Sequence, residues 1–177
     1  MFVQPSNLVA GAATRLLLFS AAFQHAVVDA QRNVMEEQIA LLASAEALGS
    51  INNLCLLVRN YQDKFPKNHT ARNLECGIIL FLAEAKDCDQ VVQSGIYQGK
   101  PTQPLGIRDA LNKFAHFDEG RSNYQVVDRR HYLFLAGSDP RPPRELKDTP
   151  HWVAVVDVKL LALKCIESVR QLEADVA

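Results

Sequence analysis

Between residues 9 and 34, apolar side chains return every three or four positions: Val9, Ala12, Leu16, Phe19, Phe23, Val27, Ala30 and Val34. A 3.6-residue period puts them all on one side of an α-helix, so a first helix is expected here. Ser6 or Asn7 stands where a capping side chain would start it. The stretch RLLLFSAAF at 15–23 has the texture of a secretory signal, yet Gln24 and His25 interrupt it. The stripe also continues through Val34, which a cleaved leader would not require. No run reaches the roughly 18 apolar residues that span a bilayer. The expectation is a cytoplasmic protein with no membrane partner.

The same period predicts a second helix over about 35–65, through Met35, Ile39 and Leu42 early and Leu54, Leu57, Tyr61 and Phe65 late. Gly49 and Ser50 suggest a kink within it, Asn52 and Asn53 mark that kink or face a cleft, and Pro66 ends it. A third helix is expected over about 70–94, on Leu74, Ile78, Leu82, Ala85 and Val92, stopped by Gly95 and Gly99. A short fourth covers about 104–117. Past Gly120 the residues become β-branched and aromatic. Residues 131–135 and 152–156 read as two strands paired across the proline-rich loop SDPRPPRELKDTP. Asp157 can cap a last helix over about 157–174. The predicted fold is mainly α: an antiparallel bundle of about five helices, with a small antiparallel β-hairpin inserted before the last. It forms one domain over 1–177, with the β insertion at about 122–156.

The formal charge of −1 excludes a global basic field, so any pull on RNA must be local. Cys55, Cys76, Cys88 and Cys165 make no C-x-x-C pair and no zinc-type cluster with histidine. Glu36, Glu37, Glu84 and Asp87 lack the histidine that a Glu-x-x-His carboxylate site needs. Buried, reduced thiols are expected, with no metal and no cofactor.

The segment IRDALNKFAHFD (107–118) carries the chemistry. Arg108, Asn112 and His116 stand at i, i+4 and i+8, stacked along one helix face. Arginine presents a fork of donors that fits phosphate. Histidine passes a proton near neutral pH. Asparagine can hold the imidazole or a substrate oxygen. Attack of a ribose 2′-OH on the adjacent phosphate needs a base, an acid and charge stabilisation, which is what such a trio offers. The plainer reading is a solvated helix face, with Arg108 paired to Asp109 or Glu119 and His116 held by the helix dipole. Lys113 and Arg121 are further phosphate candidates. Arg129, Arg130 and His131 form a local basic cluster, with Arg141 and Arg144 in the loop. That cluster reads either as part of an RNA-binding patch or as a charged turn beside an edge strand. Tyr124, Tyr132 and Trp152 either stack on bases or belong to the core.

The motif resembles the signature helix of HEPN-type helical domains, and more narrowly small bacterial proteins with an L-R-x-A-x-N-K-x-x-H helix followed by a strand element with Trp and Asp. The matching positions here are Arg108, Ala110, Asn112, Lys113, His116, Trp152 and Asp157. The resemblance implies a homodimer handling RNA, as a metal-independent endoribonuclease of a toxin–antitoxin or phage-defence system. In that role His116 would be general acid/base, Arg108 phosphate ligand and Asn112 the orienting residue, with a cognate antitoxin or other protein as partner. Seven residues separate Arg108 from His116, more than in catalytic members. That spacing favours the alternative, a non-catalytic binding or scaffold subunit. The intact Asn112–Lys113–His116 block favours the enzyme.

Overall fold

The computed structural model describes residues 4–29, 34–118, 120–139, 148 and 150–176. Two long helices come first, α1 (Pro5–Asp29) and α2 (Val34–Gln62). They run antiparallel: Pro5 and Val9 lie by Leu57 and Tyr61, while Phe23 and Val27 lie by Ala40. Each buries a single stripe, Val9, Ala12, Leu16 and Phe23 on α1 and Ala47, Ile51, Leu54 and Val58 on α2. Pro5 opens α1, suited there because its missing N–H would have no partner in the first turn. Ser6 and Asn7 therefore lie inside the helix, and the Ser6 amide donates to Glu173 Oε1 at 2.9 Å. α2 passes through Gly49 and Ser50 without a break. Ala30 and the side chain of Val34, which complete the expected stripe, lie outside the described residues, as do Glu119, Arg141 and Arg144. By length and composition alone, residues 5–27 and 35–62 are apolar enough to cross a membrane, although no single unbroken apolar run is that long.

The helical bundle with a small inserted hairpin is not what the chain forms. A five-stranded antiparallel sheet occupies the middle of the molecule, in the order β2-β1-β5-β4-β3. Its strands are β1 (Glu75–Leu82), β2 (Gln103–Gly106), β3 (Ser122–Val127), β4 (Arg130–Ser138) and β5 (His151–Asp157). The expected third helix is where the bundle reading fails. Residues 70–94 hold a short 3₁₀ turn (Thr70–Arg72), then β1, then α3 (Ala85–Ser94). The run CGIILFL is nearly continuous in apolar residues because β1 is an inner strand between β2 and β5. A strand covered on both sides loses the alternation that identifies it, and Leu74, Ile78 and Leu82 then match a helical spacing by coincidence. The expected pairing of residues 131–135 with 152–156 is present as β4 against β5, with Leu133 opposite Val156 and Leu135 opposite Ala154.

Alternation along β4 and β5 divides the core between two faces. Leu133, Leu135, Trp152, Ala154 and Val156 join the buried stripes of α1 and α2, together with α4 (Ile107–His116) and α5 (Val158–Ala174). Phe134, Ala136, Val153 and Val155 face the other way and pack on Cys88, Val91 and Val92 of α3. The sheet is thus sandwiched between four helices and one. α3 ends at Gly95, whose φ of 69° is the left-handed conformation open to glycine, with its N–H bonded to Val91 O. Asp157 caps α5, its carboxylate accepting from the Leu160 amide at 2.9 Å.

Candidate functional site

α4 begins directly after β2, with Gly106 at its N-cap, and buries Ile107, Ala110, Leu111 and Phe114. That apolar stripe fixes its rotation against the sheet, leaving Asn112, Lys113 and His116 off the core. Its C-terminal end is clipped to β4, the Asp118 amide donating to Ala136 O and the Ala136 amide to Arg121 O, both at 2.9 Å. This places the last turn of α4 over the ends of β4 and β5. Asn112, Lys113, His116, Phe117, Ser138, Asp139 and Trp152 enclose a groove there of about 480 Å³.

Trp152 is the groove's inner wall, only 2% exposed. Its indole lies across Gly137, its partner in the β4–β5 register, where any Cβ would collide with the ring. Above the ring, Lys113 Nζ sits 4.2 Å from the centroid, a cation–π contact. Burial lowers the Lys113 ammonium below the usual lysine range, while the charges of Asp139 and Asp109 pull it back up. The cation is therefore partly stripped of water, and neighbouring charges act on it at reduced dielectric. His116 is exposed at the rim, one helical turn beyond Asn112. The Asp139 amide donates to Pro150 O at 2.9 Å, drawing the two strand ends together at the groove mouth.

The structure separates Arg108 from this group. Eight residues of helix displace it about 12 Å along the axis from His116. Its Nη2 meets Asp63 Oδ1 at 2.8 Å, just past the end of α2, and Arg72 Nη2 lies 3.8 Å from the same oxygen. Arg108 joins helices. Arg121 is also committed, to Asp89 at 2.7 Å, Asp118 at 2.8 Å and the Ala85 carbonyl at 2.9 Å. Arg129 lies in the two-residue β3–β4 turn, where Asp128 and Arg129 both take positive φ, 50° and 60°. Arg130 follows it, exposed and 4.0 Å from Asp157. With Lys159 they line a second groove of about 410 Å³, at the opposite end of β4 and about 27 Å from Ser138. His131 is a core residue, bonded to Ser20 Oγ at 2.7 Å and stacked on Phe23 at 4.5 Å. Tyr124 lies half-buried beside it.

Ser138 and Asp139 are the groove residues that sequence reasoning missed. The available signal was Gly137-Ser138-Asp139 closing an apolar strand, since a glycine paired with a tryptophan across a hairpin marks a seat for the indole. Among the described residues no cluster of three or more His, Cys, Asp or Glu side chains is placed to hold a metal ion. No family model, no curated protein and no solved structure matches the chain.

Proposed function

We propose that the α4 groove holds RNA at a single ribose-phosphate, with Lys113 as the phosphate partner, Asn112 as a hydrogen-bonding anchor and His116 as the proton carrier. The observation that carries this reading is the Lys113 ammonium, half-buried over Trp152 in the same groove as Asn112 and His116. A groove of about 480 Å³ suits one nucleotide rather than a helix of RNA. The acid-base chemistry expected from the HEPN-like resemblance is retained, and its all-helical scaffold is not. In the catalytic form, the 2′-oxygen bonds to phosphorus as His116 takes its proton. The bond from phosphorus to the 5′-oxygen breaks, and the departing oxygen takes the proton that His116 has accepted, which returns the imidazole to its neutral form. Lys113 replaces Arg108 in balancing the phosphorane charge.

A second reading, a binding module without turnover, is favoured by the Arg108–Asp63 pair, which removes the arginine from reach of any phosphate beside His116. Labelled single-stranded RNA titrated with wild type and with Lys113→Ala tests recognition by anisotropy. Incubation of the same RNA in EDTA with wild type and His116→Ala tests turnover. Binding weakened about tenfold or more by Lys113→Ala is expected. Wild-type binding that the substitution leaves intact would remove the groove from RNA recognition, and cleavage unaffected by His116→Ala would remove its catalytic role.

A further inference from the structure

The second groove, of about 410 Å³, opens between α1, the first turn of α5 and the start of β4. Three exposed cations line it, Arg129, Arg130 and Lys159. Asp157 lines it too, but that carboxylate accepts from the Leu160 amide at 2.9 Å and stands 4.0 Å from Arg130. Asp128, in the same turn as Arg129, is outside the lining. The positive end of α5, a 17-residue helix, adds to the cations. Beneath them lies His131, which lines the groove although it is only 2% exposed. Its backbone is held in the sheet opposite Val126, and its ring stacks on Phe23 of α1. The imidazole is therefore the part of the residue that meets the groove. Nδ1 is taken by Ser20 Oγ at 2.7 Å. Nε2, on the other edge of the ring, is buried with no hydrogen-bond partner among the described residues. Such an orphaned nitrogen is costly in a native core.

We propose that this groove binds a small phosphate monoester, with His131 Nε2–H as a donor to one of its oxygens. The phosphate sits among Arg129, Arg130, Lys159 and the first turn of α5, and the carbon part lies on Leu160 and Leu163, both exposed in the groove wall. Ser20 sets the tautomer. Its Oγ accepts from Gln24 Nε2 at 3.4 Å, and its own proton goes to Nδ1, which leaves the ring hydrogen on Nε2. Gln24 also lines the groove, and so long a bond lets its side chain turn aside and admit an oxygen to the ring. Charge selects the ligand. Three cations against one carboxylate match a monoester dianion better than a diester, which carries a single charge. The volume suits a small molecule rather than a folded partner. This site lies at the far end of β4 from the α4 groove and is independent of any RNA chemistry.

The test is a proton–nitrogen correlation spectrum of the full chain carrying ¹⁵N-labelled histidine, at neutral pH and constant ionic strength. His131→Phe assigns the signal by removing it. Without ligand, the His131 ring carries its hydrogen on Nε2. Inorganic phosphate and glycerol 3-phosphate each shift that signal. Arg130→Ala and Lys159→Ala replace exposed side chains, and each weakens the response about tenfold or more at an unchanged thermal midpoint. Vesicles of phosphatidylcholine with phosphatidic acid then identify the source. Competition with glycerol 3-phosphate names a lipid headgroup, and its absence names a soluble ester. Four results overturn the proposal: a ring hydrogen on Nδ1, a phosphate response at His116 but not at His131, a His131 response that survives both substitutions, and equal competition by single-stranded RNA or phosphatidylglycerol vesicles, which would make the groove a general anionic contact.

Discussion

His131 Nδ1 lies 2.7 Å from Ser20 Oγ, and this contact joins the β3–β4 hairpin to α1. The imidazole is enclosed by Phe23 and Tyr124, with ring centroids 4.5 and 5.0 Å away. Burial pushes its pKa down to about 4. The unfolded chain, with histidine at its ordinary value near 6.5, takes up a proton that the native state refuses.

Stability from this site is therefore complete above pH 6.5 and lost as pH falls from 6.5 towards 4. The loss amounts to about 3 kcal/mol at its limit. His131→Phe keeps a ring in the cluster and removes the titration. Urea unfolding at pH 7.5 and pH 5 should show a larger acid loss for wild type than for His131→Phe. Equal losses would mean that the imidazole titrates normally.

Trp152 is the sole tryptophan, so the groove reports on itself. Lys113→Met keeps much of the aliphatic stem and removes the charge over the indole. The emission maximum should shift, with a change in unfolding free energy of about 1 kcal/mol or less. Unchanged emission would place the ammonium elsewhere in solution.

Arg108→Ala should cost stability and leave the groove alone. Its partner Asp63 is half-exposed, so the lost pair is worth about 1 kcal/mol or less. The measurement is a thermal midpoint beside an RNA anisotropy titration. A loss of RNA affinity matching that of Lys113→Ala, at an unchanged midpoint, would return Arg108 to the site.

The four cysteines should be silent in the native state. All are buried and free. Burial raises every thiol, Cys76 up to about 12 and Cys88 up to about 11, so almost no thiolate exists at neutral pH. A thiol reagent such as DTNB at pH 8 should react slowly with folded protein and quickly with all four thiols in guanidinium. Rapid native labelling of even one would show that the core opens locally.

Helical periodicity was legible wherever a helix keeps one wet face. α1, α2, α4 and α5 fall near their expected spans because Val9, Ile51, Leu111 and Leu161 mark buried stripes against polar ones. β1 was illegible for the opposite reason, since Ile79 and Leu80 are both buried, one on each side of the sheet. β2 is four residues long, contains Pro104, and acquires its identity only by pairing with β1. At the site, helical spacing placed Asn112 and His116 together correctly. It could not reveal that Asp63, 45 positions before Arg108, would claim the guanidinium. Nor could it reveal that Trp152 would lie beneath Lys113, a contact created by the β4–β5 register.

The strand order has a consequence for biosynthesis. β5 is the last strand translated, yet it lies between β1 and β4. Emerging from the ribosome, the chain can form only two separate pairs, β1 with β2 and β3 with β4, each showing an unsatisfied edge. Residues 151–157 then insert between them and knit two half-sheets into one. A chain that ends before residue 151 leaves both half-sheets with open edges, and the sheet closes only with its last strand.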